Sequence, residues 1–137
     1  MTIQPRTTEL QGVHAIRVDV AYDTPGIGSG IKFGALPPDS VLLAIMTEVR
    51  TAFNAASTNV LTVGTDASAV DILDASALAE AAGSEWLTPI TGFECARTAV
   101  TDLYVKYAQS GTAASAGSAT LTVLYATNLP ENVPYSG

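Results

Sequence analysis

Residues 40–65 read SVLLAIMTEVRTAFNAASTNVLTVGT, and this stretch decides the architecture. Val41, Leu43, Ile45, Thr47 and Val49 alternate with Leu42, Ala44, Met46, Glu48 and Arg50. Period two separates them onto opposite faces of a strand. The first half of that strand is apolar on both faces, and the second half is amphipathic. A strand apolar on both faces is expected in the middle of a sandwich, covered from two sides. Residues 51–58 are small and turn-forming around one large anchor, Phe53. β-Branched alternation resumes over 59–63, and Gly64 ends it. The stretch therefore reads as strand, elbow, strand.

The flanking sequence repeats the β signal. Over 13–23, His14, Ile16, Val18, Val20 and Tyr22 share one face, and Ala15, Arg17, Asp19, Ala21 and Asp23 share a half-solvated one. His14, at the start of the apolar face, reads as a hydrogen-bonded residue at the margin of the core. Thr24-Pro-Gly-Ile-Gly-Ser-Gly is glycine-rich, but no helix pattern follows and Lys32 is not followed by Ser or Thr, so a phosphate loop fails on context. It reads as a turn leading into a short strand at 31–35, which Pro37, Pro38 and Asp39 stop.

Beyond Gly64 the pattern changes. Residues 72–82 read as one short helix, with Asp71 or Asp74 as cap, Ile72, Leu73 and Leu78 toward the sheet, and Gly83 past the end. Asp66, Asp71 and Asp74 lack the spacing of a calcium loop and are expected as caps. Residues 84–93 read as a short strand or connector that plugs the core with Trp86. Residues 95–108 form the next strand, with Leu103, Val105 and Tyr107 on one face. Residues 118–127 place Leu121, Val123 and Tyr125 together and are expected to close a hairpin with 95–108. The sum is about eight strands with one short helix: an all-β antiparallel sandwich, best described as a jelly roll. The domain runs over 13–127. Residues 1–12 read as an N-terminal arm and 128–137 as an extended C-terminal tail, with Leu129, Val133 and Tyr135 available for docking.

Composition narrows the function. The chain has 137 residues, one domain's worth, and only 14% of them are charged against a usual figure near 25%. Low charge with many small residues fits a surface that faces neighbours in an assembly or belongs to a compact secreted domain. The net charge of −7 is local: 51–96 holds Asp66, Asp71, Asp74, Glu80, Glu85 and Glu94 and no Lys, Arg or His. That argues against a direct nucleic-acid partner, which needs clustered bases. The acidic segment reads as a solubilising face or a site for a basic partner. Neither a signal peptide nor a membrane-spanning run is visible. Cys95 is the sole cysteine, so no intrachain disulfide is possible, and with one histidine it makes a poor nucleophilic pair. No catalytic, cofactor-binding or metal-binding residue is expected, and no cofactor.

Three segments carry a family resemblance: FGALPPDSVLL at 33–43, VRTAFNAASTNVLTVGT at 49–65, and YAQSGTAASAGSATLTVLY at 107–125. They resemble the small structural proteins encoded beside the major capsid gene of tailed bacteriophages, and in particular the cement, or decoration, proteins of short-tailed phages. The resemblance implies a jelly roll, often a homodimer. Its partner would be the major capsid protein on the outer capsid surface of the virion, after assembly in the host cytoplasm. It implies no catalytic residues. On this reading the arm and tail become ordered only against the capsid. A tail, neck or fibre component is an alternative, as is a carbohydrate-binding jelly-roll module using Trp86, Tyr104 and Tyr22.

Overall fold

The computed structural model describes residues 13–38, 40–69, 71–73, 83–87 and 99–127, with backbone only at 83–87 and 127. Seven strands follow in order: β1 (Val13–Ala21), β2 (Ile31–Leu36), β3 (Ser40–Thr51), β4 (Thr58–Gly64), β5 (Gly83–Leu87), β6 (Thr101–Ser110) and β7 (Ser118–Thr127). They make two antiparallel sheets, ordered β1-β7-β3-β5 and β2-β6-β4. Past β4, Leu73 forms an isolated antiparallel bridge with Val63, and their backbones exchange hydrogen bonds of 3.1 and 2.9 Å. Counted as a rudimentary strand beside β4, this bridge brings each sheet to four strands, the eight-strand arrangement of a jelly roll. β3 lies inside its sheet, as its apolar sequence requires.

Alternation drives the packing. Leu36, Leu42, Ile45, Leu61, Val63, Leu103, Val105, Leu121 and Val123 are essentially fully buried, as are Ile72 and Leu73. Each such side chain contributes roughly 1.5–3 kcal/mol of burial. Leu103, Val105 and Tyr107 of one sheet belong to the same buried cluster as Leu121 and Val123 of the other.

Three expectations change. The 95–108 and 118–127 segments do not form a hairpin: β6 pairs with β2 and β4, whereas β7 pairs with β1 and β3. The loop at 111–117 is long enough to cross between sheets, and each strand finds its partners far away in sequence. The described part of the sixth strand begins at Thr101, and 95–98 lies outside the described residues. The helix over 72–82 is not borne out at its start, where Ile72 donates to Val63 and Leu73 bridges it; 74–82, with Asp74 and Leu78, lies outside the described residues. Asp71 accordingly caps nothing helical. Its carboxylate accepts the Thr65 N–H at 2.7 Å and the Thr65 hydroxyl, closing the loop between Gly64 and Ile72.

The faces of β3 also differ from simple period two. Leu42 pairs with Tyr125 and Ala44 with Leu124, leaving Leu43 as an extra residue; the register shifts again between Val49 and Thr51, leaving Arg50 extra. A bulge moves the alternation by one. Leu42 therefore points inward with Ile45, Thr47 and Val49, and Leu43 points out. Leu43 is 43% exposed and Met46 41%. The strand is apolar on both faces, and on its outer face Leu43 and Met46 stand exposed.

Candidate interaction surface

The outer face of the four-stranded sheet has two ends of opposite character. At the elbow end, Arg50, released by its bulge, reaches across β7 toward β1. Its guanidinium donates to the Thr120 hydroxyl and lies 3.5 Å from the Asp19 carboxylate. Thr120 in turn donates to Asp19 at 2.5 Å, and Arg17 stands 3.9 Å from the same carboxylate. The Thr120 hydroxyl bond, then the Arg17 and Arg50 charges, hold the Asp19 carboxyl below its ordinary value of 3.8. Three strands are stitched together on this face.

The elbow itself is fastened from both sides. Phe53 lies against Gly117, whose positive φ of 149° and missing Cβ leave room for the ring; a Cβ there would stand 2.4 Å from it. The ring also packs on Tyr107 at 4.7 Å between centroids, and the Tyr107 hydroxyl donates to the Asn59 side-chain Oδ1 at 2.6 Å. Asn54 accepts from the backbone N–H groups of Ser115 and Ala116 at 2.8 and 2.9 Å. These contacts pin the 52–57 elbow to the 111–117 loop.

At the opposite end, β1 begins, β3 begins and β7 ends. There the outward residues are apolar: Val13, Val41, Leu43, Met46 and Leu124. Val13 is 62% exposed. Single exposed apolar side chains are ordinary, but a contiguous set on a sheet face marks an interaction surface. Composition signalled such a surface only in bulk; Leu43 and Met46 escaped because their strand read as covered on both sides.

The other singled-out residues take structural places. His14 is exposed and stacks on Tyr125, with centroids 5.4 Å apart. That ring contact stands where a hydrogen bond was expected. The Gly-rich segment is a turn with one 3-10 piece, Ile27–Ser29, and Lys32 pairs with Asp102 at 3.0 Å. Asp66 folds onto Ser68, whose hydroxyl and N–H hold its carboxyl below the ordinary value. Tyr22 and Tyr104 are half-buried, one after β1 and one on β6 of the other sheet, so they form no common platform. Trp86 pairs by backbone register with Met46; its side chain, like Cys95, Glu80, Glu94 and both termini, lies outside the described residues. Among the described residues no three His, Cys, Asp or Glu side chains gather as metal ligands, and no helix is long and apolar enough to cross a membrane.

No family model matches the sequence, and no curated protein is similar to it. Solved structures are similar in fold. A chain of the cyanophage Pam1 capsid asymmetric unit superposes with a TM-score of 0.66 at 23% identity, over 93% of this chain and 94% of that one. A chain of the Ralstonia phage GP4 capsid gives 0.60 at 22% identity, covering 95% and 92%. One from the acid-stable capsid of Helicobacter pylori bacteriophage KHP30 gives 0.60 at 16%, covering 83% and 86%. The chain shares its fold, over nearly its whole length, with chains of three phage capsids.

Proposed function

We propose that this chain is a virion structural protein: a homodimeric cement protein that binds the outer surface of a phage head and bridges neighbouring major capsid protein subunits. The observation that carries this reading is the exposed apolar end of the four-stranded sheet, on a fold shared with chains of three phage capsids. A stitched polar end and an open apolar end suit a part clamped against a neighbour. Val13 and Thr127, to which the segments 1–12 and 128–137 attach, lie at this same apolar end, and on this reading those segments reach along the shell. A partner that binds only the folded protein stabilises both sides by mass action, so many copies of a standard-sized interface reinforce the shell against internal pressure.

Co-sedimentation of the purified protein with capsids that lack it tests the proposal. Stoichiometric binding with raised heat resistance of the shell is expected, and Leu43→Asp with Met46→Asp should abolish it while leaving the fold intact. Binding unaffected by that double change would remove the apolar end from the interface. No binding by the native chain would overturn the cement role.

A further inference from the structure

The two sheets expose their edges unequally. β5 has five residues; β2 is short and bulged between Lys32 and Gly34; β4 is capped by the Leu73 bridge. β1 has nine residues, no proline, no lysine and no bulge, and no described strand pairs with its outer edge. Natural proteins rarely leave such an edge open, because it templates pairing with another chain.

The phase of the edge can be worked out. Tyr22 donates to the Gly117 carbonyl at 3.1 Å, in continuation of the β1–β7 register. In an antiparallel ladder, both backbone groups of a residue point to the same neighbour and alternate along the strand. The even-numbered residues therefore bond β7, and the odd-numbered ones point outward. Ala21 is already used: its N–H donates to the Thr24 hydroxyl at 2.8 Å, and its carbonyl accepts from the Thr24 N–H at 3.1 Å. Val13, Ala15, Arg17 and Asp19 remain, and no described group bonds their N–H or carbonyl.

We infer that β1 pairs antiparallel with β1 of a second copy about a two-fold axis at Ile16, joining two four-stranded sheets into one. The inference deepens the dimer named in the proposed function. In this register Val13 meets Asp19 of the second copy, and Ala15 meets Arg17. Four bonded pairs with two bonds each give eight ladder bonds and use every open group. Centring the axis on Arg17 places like charges opposite each other. Centring it on Val18 sets Arg17 against Asp19 but drives Ala15 onto the occupied Ala21, leaving two bonded pairs and four bonds. Exposed ion pairs are weak and salt-screened, so they do not repay the four lost bonds. A two-fold axis makes the contact self-complementary and closed, which stops growth at two copies.

Sedimentation equilibrium of the full-length protein, without capsids, tests this. The native chain is expected as a dimer. Ala15→Pro removes an outward N–H and leaves the β7 ladder untouched, so it should weaken dimerisation about 100-fold or more with an unchanged circular dichroism spectrum. A monomeric native chain, or a dimer indifferent to Ala15→Pro, would overturn the pairing. The axis is read by cross-linking in a Cys95→Ala background. A non-bonded antiparallel pair brings Cα atoms to about 4.5 Å, within disulfide range. Ile16→Cys should give a covalent dimer on oxidation and Val18→Cys should not; the reverse would overturn the register. Shell binding is scored separately, so a dimer that fails to bind capsids counts against the cement role and not against the edge.

Discussion

The two ends of the four-stranded sheet are built by the same device and put to opposite use. Each carries one bulge in β3. At the elbow end the extra residue is Arg50, which ties β3, β7 and β1 together through Thr120 and Asp19. At the other end it is Leu43, an exposed apolar side chain on the same face as Val13, Val41 and Met46. The elbow end contributes to folding stability. The apolar end is expected to contribute little to it and, on the proposed function, to hold its surface for a neighbour. Bulges re-aim single side chains, so one extra residue is enough to set each role.

Substitutions can break this contrast. The largest effect is expected from Phe53→Ala at the elbow, which empties the space over Gly117 and strips the Tyr107 ring: about 3–5 kcal/mol lost in chemical denaturation. A loss below 1 kcal/mol would mean that the elbow is not the fastening point. Asn54→Ala should cost about 1–2 kcal/mol, since two N–H groups of the 111–117 loop lose their acceptor. Between the two ends, Thr47 holds a buried hydroxyl with no partner among the described residues. Thr47→Val should therefore raise stability by roughly 1 kcal/mol; a loss would show that the hydroxyl is satisfied. At the apolar end Leu43→Ser should shift stability by less than about 0.5 kcal/mol while weakening capsid binding.

Acid should act through Asp19 at the elbow end and Asp66 in the loop after β4, and more weakly than any of the first three substitutions. Asp19 and Asp66 hold their protons less tightly in the folded chain than in the unfolded one. Their contribution is complete above the ordinary carboxyl value of 3.8 and drains away as pH falls through the lower, folded values. Both are exposed, so the loss is small. Asp19→Asn should flatten the stability profile below about pH 4. A profile unchanged by Asp19→Asn would show that Arg50 and Thr120 hold the strands together without the carboxylate.

Much of the fold was legible. Six strands fall within a few residues of the segments read from alternation, the Phe53 elbow is where one aromatic among small residues placed it, and the half-solvated face of β1 follows Arg17 and Asp19. The failures have physical causes. Leu42 and Leu43 are the same residue type, so no polar residue marked the point where the alternation slipped, and the open face was hidden. Val105 and Val123 are equally good partners beside or across from each other, so alternation alone could not assign them to different sheets. Ile72 and Leu73 among alanines suit a helix, and only the distant Val63 draws them into a bridge. The candidate surface depended on the first of these and was therefore the least visible.

The pairing of β1 with β7 has a consequence for how the chain is made. Val13 stands opposite Ala126 in the β1–β7 register, so the first described strand to be made waits for the last. Between Ala21 and Ser118, synthesis at about 5–20 residues per second takes roughly 5–20 s. During that interval β1 has neither its β7 neighbour nor the β3 ladder that β7 bridges to it. The four-stranded sheet can therefore close only after β7 has been made, and until then every nascent copy carries β1 without its β7 neighbour. Crowded polysomes making this protein would bring many such strands close together, and the delay favours assembly only after β7 has arrived.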